Sequence, residues 1–234
     1  MNYLLVLLGI LLIIIAYILY IKALGNNSVL GKNTYLKTTV PPVDLTTLSN
    51  PGSSRFAYSF WVYVNELTGT AATVPIFTVY NSAANSNASA ILLFGVSPSD
   101  MTLNLQIAPK DGNLTSATKV TVPVMKNFPL QKWVFVVASF DNAQLDLYVD
   151  GKIVNSRVLS ITPALPVGTG ANIGFGTGDM YISTLNRQTS PMDPQTAWTN
   201  YMSGNAGFAN IFSTYGLDMT FNKDSVIAQK FTIF

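Results

Sequence analysis

From Tyr3 to Ile21 no position carries a charged side chain, and nearly every one is Leu, Ile, Val or Tyr. With Ala23 and Leu24 the run reaches roughly 22 residues, enough at 1.5 Å per residue to span the roughly 30 Å of a bilayer's hydrocarbon. Residues 1–24 are therefore predicted to form a transmembrane helix. Tyr3 lies near one end, and Tyr17 and Tyr20 near the other, where aromatic rings favour the headgroup region. Lys22 can snorkel to the same boundary, while Leu4, Leu12 and Ile14 belong to the lipid-facing run. A cleaved signal peptide would place basic residues before a shorter apolar run of about 7–15 residues. This run fits that pattern poorly, although Ala23-Leu24-Gly25 loosely resembles a cleavage site. Lys22, Lys32 and Lys37 follow the helix, so the positive-inside rule puts the rest of the chain on the cytosolic side.

The pattern then changes twice. Residues 25–54 are polar and include Pro41-Pro42 and Asn50-Pro51-Gly52. They are predicted to form a stalk, with one short strand near Val43 to Leu48. From Arg55 the period becomes two. Phe56, Tyr58, Phe60, Val62 and Val64 share one face, and Ala57, Ser59, Trp61 and Tyr63 the other. Further strands are expected at Pro75–Tyr80, Ala90–Val96, Met101–Ala108 and Thr118–Val124. Trp133 to Phe140 is apolar on both faces, as in a central strand covered on two sides. Gln144 to Asp150 alternates, and Asp150-Gly151 signals a type I′ hairpin into Lys152–Leu159. Leu217, Met219 and Phe221 alternate before a turn and a last strand from Val226 to Phe234. One helix interrupts the strands, Pro194 to Met202, with Asp193 as N-cap, Pro194 in its first turn and Gly204 after it. About ten short strands separated by turns imply a sandwich or barrel, so residues 55–234 are read as one all-β domain with that helix near 194–202.

Three stretches carry a resemblance. Phe60-Trp61-Val62-Tyr63-Val64, Lys132-Trp133-Val134-Phe135-Val136-Val137 and Leu145-Asp146-Leu147-Tyr148-Val149-Asp150-Gly151-Lys152 together resemble the concanavalin A-like, laminin-G-type jelly roll. The resemblance implies two packed antiparallel sheets. It says little about activity, because these are core strands and a turn. The layout of anchor, stalk and jelly roll is also similar to membrane-bound structural proteins of large icosahedral DNA viruses of algae. Asp193-Pro194-Gln195-Thr196-Ala197-Trp198-Thr199-Asn200-Tyr201-Met202-Ser203-Gly204-Asn205 and Tyr215-Gly216-Leu217-Asp218-Met219-Thr220-Phe221 carry this second likeness. It implies a minor capsid protein of the virion, placed between an internal membrane and the capsid and bridging the two.

Composition narrows the chemistry. Charged residues make up 10% of the chain, against about 25% in ordinary soluble proteins. Free domains keep apart by charge and the cores of protein contacts are depleted in it, so a packed assembly is expected. A net charge of +2 gives no case for a nucleic-acid partner. There is no Cys, hence no disulfide or thiolate metal site, which fits a reducing compartment. There is no His, which removes the usual general base. Glu66 is the sole Glu, with no acidic neighbour within 20 positions on either side, so the closely paired carboxylates of glucanases of this fold are missing. No catalytic residue is assigned and the chain is expected not to be an enzyme.

Three weaker signals remain. Asp146 and Asp150 lie on the outward side of their strand, with Asp141 just before, and jelly rolls of this type can hold Ca²⁺ at a rim. A solvated face with a turn-forming Asp is the simpler account, and no cofactor or metal site is assigned. Gly168, Gly170, Gly174, Gly176 and Gly178 lack the spacing of a phosphate loop and read as turns around Asn172–Phe175. Trp198 and Tyr201 share one face of the expected helix, facing either a partner or the core. Two functions follow. In the first the chain is a structural protein joining the lipid bilayer to other capsid proteins. In the second it is a membrane-tethered, lectin-like module that binds glycans.

Overall fold

A computed structural model describes Leu12 and residues 28–30, 33–67, 71–82, 89–205, 218–223 and 226–232. The expected membrane helix, with Tyr3, Leu4, Ile14, Tyr17, Tyr20 and Lys22, lies outside the described residues except for Leu12, which is helical. Among the described residues no helix is long and apolar enough to cross a membrane.

Two antiparallel sheets pack face to face, their strands numbered in chain order. The seven-stranded sheet runs β1 (Ser28–Leu30), β13 (Asp179–Gln188), β4 (Arg55–Glu66), β9 (Trp133–Asp141), β10 (Gln144–Val149) and β11 (Lys152–Val158), with β2 (Thr34–Tyr35) also on β13. The six-stranded sheet runs β3 (Val43–Asp44), β12 (Asn172–Phe175), β5 (Val74–Tyr80), β6 (Ala90–Ser97), β7 (Thr102–Ile107) and β8 (Val120–Met125). A separate hairpin joins β14 (Asp218–Lys223) to β15 (Val226–Thr232).

The alternation of β4 places its residues as the pattern implies. Phe56, Tyr58, Phe60, Val62 and Val64 enter the core between the sheets and are buried. Phe60 meets Phe77 and Phe94 edge-on, with ring centroids 5.1 and 5.0 Å apart, a geometry that contributes about 0.5–1.5 kcal/mol per pair beyond burial. β9 is covered on both sides: Val134, Val136, Ala138 and Phe140 face the other sheet, and Phe135 and Val137 face an outer layer. That layer is closed by α1 (Pro194–Met202), whose N-cap Asp193 accepts hydrogen bonds from the backbone N–H groups of Gln195 and Thr196. At the β10–β11 turn, Asp150 and Gly151 have φ of 48° and 74°, the positive values a type I′ turn needs.

Two stretches differ from expectation. Much of the segment read as a stalk belongs to the sandwich: β1 and β2 pair with β13, Leu36 and Leu45 are fully buried, and β3, inside the short strand expected near Val43 to Leu48, pairs with β12. Isolated apolar residues spaced among polar ones seal the sheet edges, and such sparse burial leaves no period to read. The second stretch is β13, a ten-residue strand that pattern reading passes over. Met180 and Ile182 point inward, but a bulge at Thr184, with φ of 45°, shifts the phase so that Leu185 and Arg187 point inward after it. A bulge adds one residue and breaks the alternation.

Arg187 is 1% exposed, with its guanidinium 5.0 Å from the centre of the Phe56 ring. It donates to the carbonyls of Ser49, Asn50 and Pro51 at 3.3, 3.1 and 2.8 Å. A buried cation thus ties the turn before β4 to the core.

Candidate functional site

The outer face of the seven-stranded sheet divides into a covered part and an open part. In the covered part Ala57, Trp61, Phe135, Val137 and Tyr148 pack against Met192 and Ala197. The chain entering α1 is fixed by Tyr148, whose hydroxyl donates to the Met192 carbonyl at 3.2 Å, and by Ser139, whose Oγ accepts from the Met192 N–H at 2.8 Å. Tyr201 stacks on Trp61, with centroids 5.6 Å apart and planes 19° apart. Trp198 lies against the β10–β11 turn and stays 39% exposed. Of the two residues singled out on this helix, Tyr201 therefore packs on the sheet and Trp198 remains at the surface.

Beyond α1, four aromatic side chains lie in one line across four strands. Tyr181 is the register partner of both Tyr35 and Tyr63, and Tyr63 is the partner of Trp133. Tyr35 and Tyr181 stack at 4.6 Å, Tyr63 and Tyr181 meet at 6.2 Å, and Tyr63 and Trp133 at 5.4 Å. Each ring is half-buried, so the row offers a firm apolar strip to whatever lies on it. Only the Tyr63–Trp133 pair lay on strands visible in the sequence. Tyr35 sat in the presumed stalk and Tyr181 on the strand hidden by its bulge.

A polar knot closes one end of the row. Asp179 accepts from Asn65 Nδ2 at 2.8 Å, Tyr35 Oη at 3.1 Å and Lys37 Nζ at 3.2 Å. These bonds, that of Asn65 foremost, hold its carboxyl below the usual carboxylate range. Hydrogen bonding to the same carboxylate raises the Lys37 ammonium. Glu66, without acidic neighbours in sequence, stands opposite Asp179 in the β4–β13 register. Glycoside hydrolysis needs one carboxylic acid kept protonated by its surroundings. Asp179 is pushed the other way and Glu66 is exposed, so the pair has the composition of a glucanase dyad without its environment.

At the end of the sandwich where β4 begins, the loops enclose a cleft of about 440 Å³ lined by Ser54, Asn81, Lys110, Asn142, Thr162 and Val167. Asn81 Oδ1 shapes it by accepting from the N–H groups of Val167 and Gly168 at 2.9 and 2.7 Å. The glycines of this region answer to packing: a Cβ at Gly168 would strike the Asn81 carbonyl, and one at Gly176 the Pro75 carbonyl. The three Asp residues considered for Ca²⁺ are separately engaged. Asp141 pairs with Arg55 at 3.0 Å, Asp146 accepts from Ser156 Oγ at 2.6 Å, and Asp150 accepts from the Phe135 N–H at 3.0 Å. Among the described residues no group of three or more acidic, His or Cys side chains could hold a metal ion.

The sequence profile described as "Concanavalin A-like lectin/glucanases superfamily" matches residues 30–190. No curated protein sequence matches the chain. Among solved structures, a Trypanosoma rangeli sialidase, in complex with a 2,3-difluoro-KDN, is similar with a TM-score of 0.51 at 15% identity, over 79% of this chain and 28% of that one. The binding domain of botulinum neurotoxin serotype D is similar with a TM-score of 0.51 at 12% identity, over 76% of this chain and 45% of that one. The chain thus spans less than half the length of either neighbour, and at these identities the likeness is one of fold.

Proposed function

We infer that this chain, which belongs to the concanavalin A-like lectin/glucanases superfamily, is a non-enzymatic recognition domain, and we read it as a structural protein tying a membrane to a protein shell. The observation that carries this reading is the open aromatic row of Tyr35, Tyr181, Tyr63 and Trp133. Tyr and Trp dominate the energetic centres of protein contacts, surrounded by groups that exclude water. The row lies on a sheet stiffened by a buried core, so little ordering cost attends its use. Low charge, at 10% of residues, and exposed apolar side chains such as Ile153 and Val154 suit a domain covered by neighbours. The membrane end of the tether is the apolar run of residues 1–24, with the β domain on the cytosolic side. In a virion that side is the space between inner membrane and capsid.

Oxidative footprinting tests the reading. In assembled particles the four aromatic residues should be protected several-fold relative to the detergent-solubilised chain. Equal oxidation in both states would exclude them as the contact.

A second reading has its own observation. Aromatic faces beside an amide, a carboxylate and an ammonium, here Asn65, Asp179 and Lys37, are the groups that seat a sugar ring and its hydroxyls. A membrane-tethered lectin would place its glycan on this same row. A glycan array probed with the solubilised chain, with and without chelator, separates the two. A signal lost in Trp133→Ala supports the lectin, and silence in both conditions speaks against it.

A further inference from the structure

The chain enters the sandwich at β1, and the place of entry limits how the domain can sit on a membrane. Ser28 pairs with Asn186, near the end of β13 at Gln188, and β1 runs antiparallel to β13. The N-terminal end of β1 therefore lies toward the end of the sandwich where β4 begins. From Leu24 to Ser28 the chain can span at most about 14 Å. β13 has ten residues, which at about 3.3 Å each makes the sandwich roughly 30 Å long. Such a tether cannot hold the far end against the bilayer while β1 stays paired at the near end. With part of the expected stalk folded into the sheets, that reach is all that separates the expected anchor from the sandwich.

The near end has a surface suited to that position. Val158, at the end of β11, is 71% exposed and Val167, on the lip of the cleft, is 74% exposed. They are the two most exposed large apolar side chains among the described residues. Lys110 lines the cleft with Val167, next to Asp111, and Arg157, also exposed, precedes Val158 in β11 with its side chain on the opposite face of the strand. Exposed apolar tips suit the interface of a bilayer, where they enter the headgroup boundary, and the Lys110 ammonium is placed to meet lipid phosphate.

We propose that this rim, with Val158, Val167 and Lys110, rests in the headgroup layer of the bilayer that carries the anchor. The proposal rests on the reading of residues 1–24 as a membrane helix. It gives the tether a fixed polarity: the cleft faces lipid, while the aromatic row, beside Asp179 where β13 begins, lies at the opposite end and faces the shell.

The absence of Cys from the chain makes the test clean. Full-length V158C, V167C and L130C variants, each labelled with an environment-sensitive fluorophore, are reconstituted into phosphatidylcholine–phosphatidylglycerol vesicles containing a headgroup-nitroxide lipid. Leu130 lies in the β8–β9 connection at the opposite end and is also exposed. Quenching should be several-fold stronger at positions 158 and 167 than at 130. Equal quenching, or stronger quenching at 130, overturns the proposal. Alkaline carbonate extraction of the same vesicles separates the causes. A chain released by carbonate removes both the anchor and this orientation, whereas a retained chain without quenching at 158 and 167 removes the orientation alone.

Discussion

Replacing Arg187 with Met should cost the domain about 2–4 kcal/mol. Met preserves most of the stem that packs under Phe56 and removes every donor. The carbonyls of Ser49, Asn50 and Pro51 then lose bonds of 3.3, 3.1 and 2.8 Å. Because Asn50 is exposed and its neighbours are half-buried, water can recover part of that loss, leaving about 1 kcal/mol for each carbonyl. The cation over Phe56 contributes about 0.5–2 kcal/mol more. Relief from burying a guanidinium offsets part of the total. For a domain of this size about 2–4 °C of melting temperature corresponds to 1 kcal/mol, so the midpoint should fall by about 5–15 °C. Arg187→Lys should fare no better, since an ammonium cannot present the planar fork that reaches three carbonyls. Near-ultraviolet circular dichroism of the solubilised chain during heating reads the midpoint. A Met variant melting within about 1 °C of the parent would refute the idea that this buried cation holds the turn before β4.

Other consequences concern titration and turns. Burial raises the Tyr58 hydroxyl to about 12 from its ordinary 10.0, against the opposing charge of Arg187. A raised folded value gives stability that is complete below the ordinary value and is lost as pH climbs through the folded one. The unfolding free energy from urea titrations should therefore drop between about pH 10 and 12, by about 1.4 kcal/mol per pH unit, and Tyr58→Phe should remove that part of the slope. Gly151→Ala places a Cβ 2.9 Å from Trp198 Cε3 at a φ of +74°. It should cost about 1–3 kcal/mol and shift the Trp198 emission as α1 moves. Gly204→Ala, at a φ of +79° with open space around it, should cost only the backbone strain of about 1–2 kcal/mol. Equal losses in the two variants would show that the contact with α1 carries no weight.

The sandwich was legible where apolar residues alternate or run on without interruption. Phe56 to Val64 sorts into two faces with a period of two, Trp133 to Phe140 is a run apolar on both faces, as a doubly covered strand needs, and Asp150-Gly151 marks a type I′ turn between β10 and β11. The helix was legible from its ends, because Asp193 and Pro194 meet the needs of a first turn and Gly204 those of its end. The short strands β1 and β2 were not legible: buried residues there stand singly, as Leu36 and Leu45 do, and a lone apolar residue among polar ones carries no period. β13 was hidden by a bulge that inverts its phase and by an Arg pointing into the core. The candidate site suffered most, since two of its four rings stand on those two unread stretches. Register, which no single strand contains, is what brings Tyr35, Tyr181, Tyr63 and Trp133 together. Even the Asp opposite Glu66 is separated from it by more than 100 positions and is visible only through pairing.

A photoreactive phenylalanine analogue placed at position 133 of the full chain in assembled particles tests the central claim most directly. Irradiation should join position 133 to a shell protein, while the same probe at position 158, at the opposite end, should give lipid adducts instead. Particles in which position 133 gives no protein adduct, with the aromatic row open to solvent, would contradict a tether between membrane and shell.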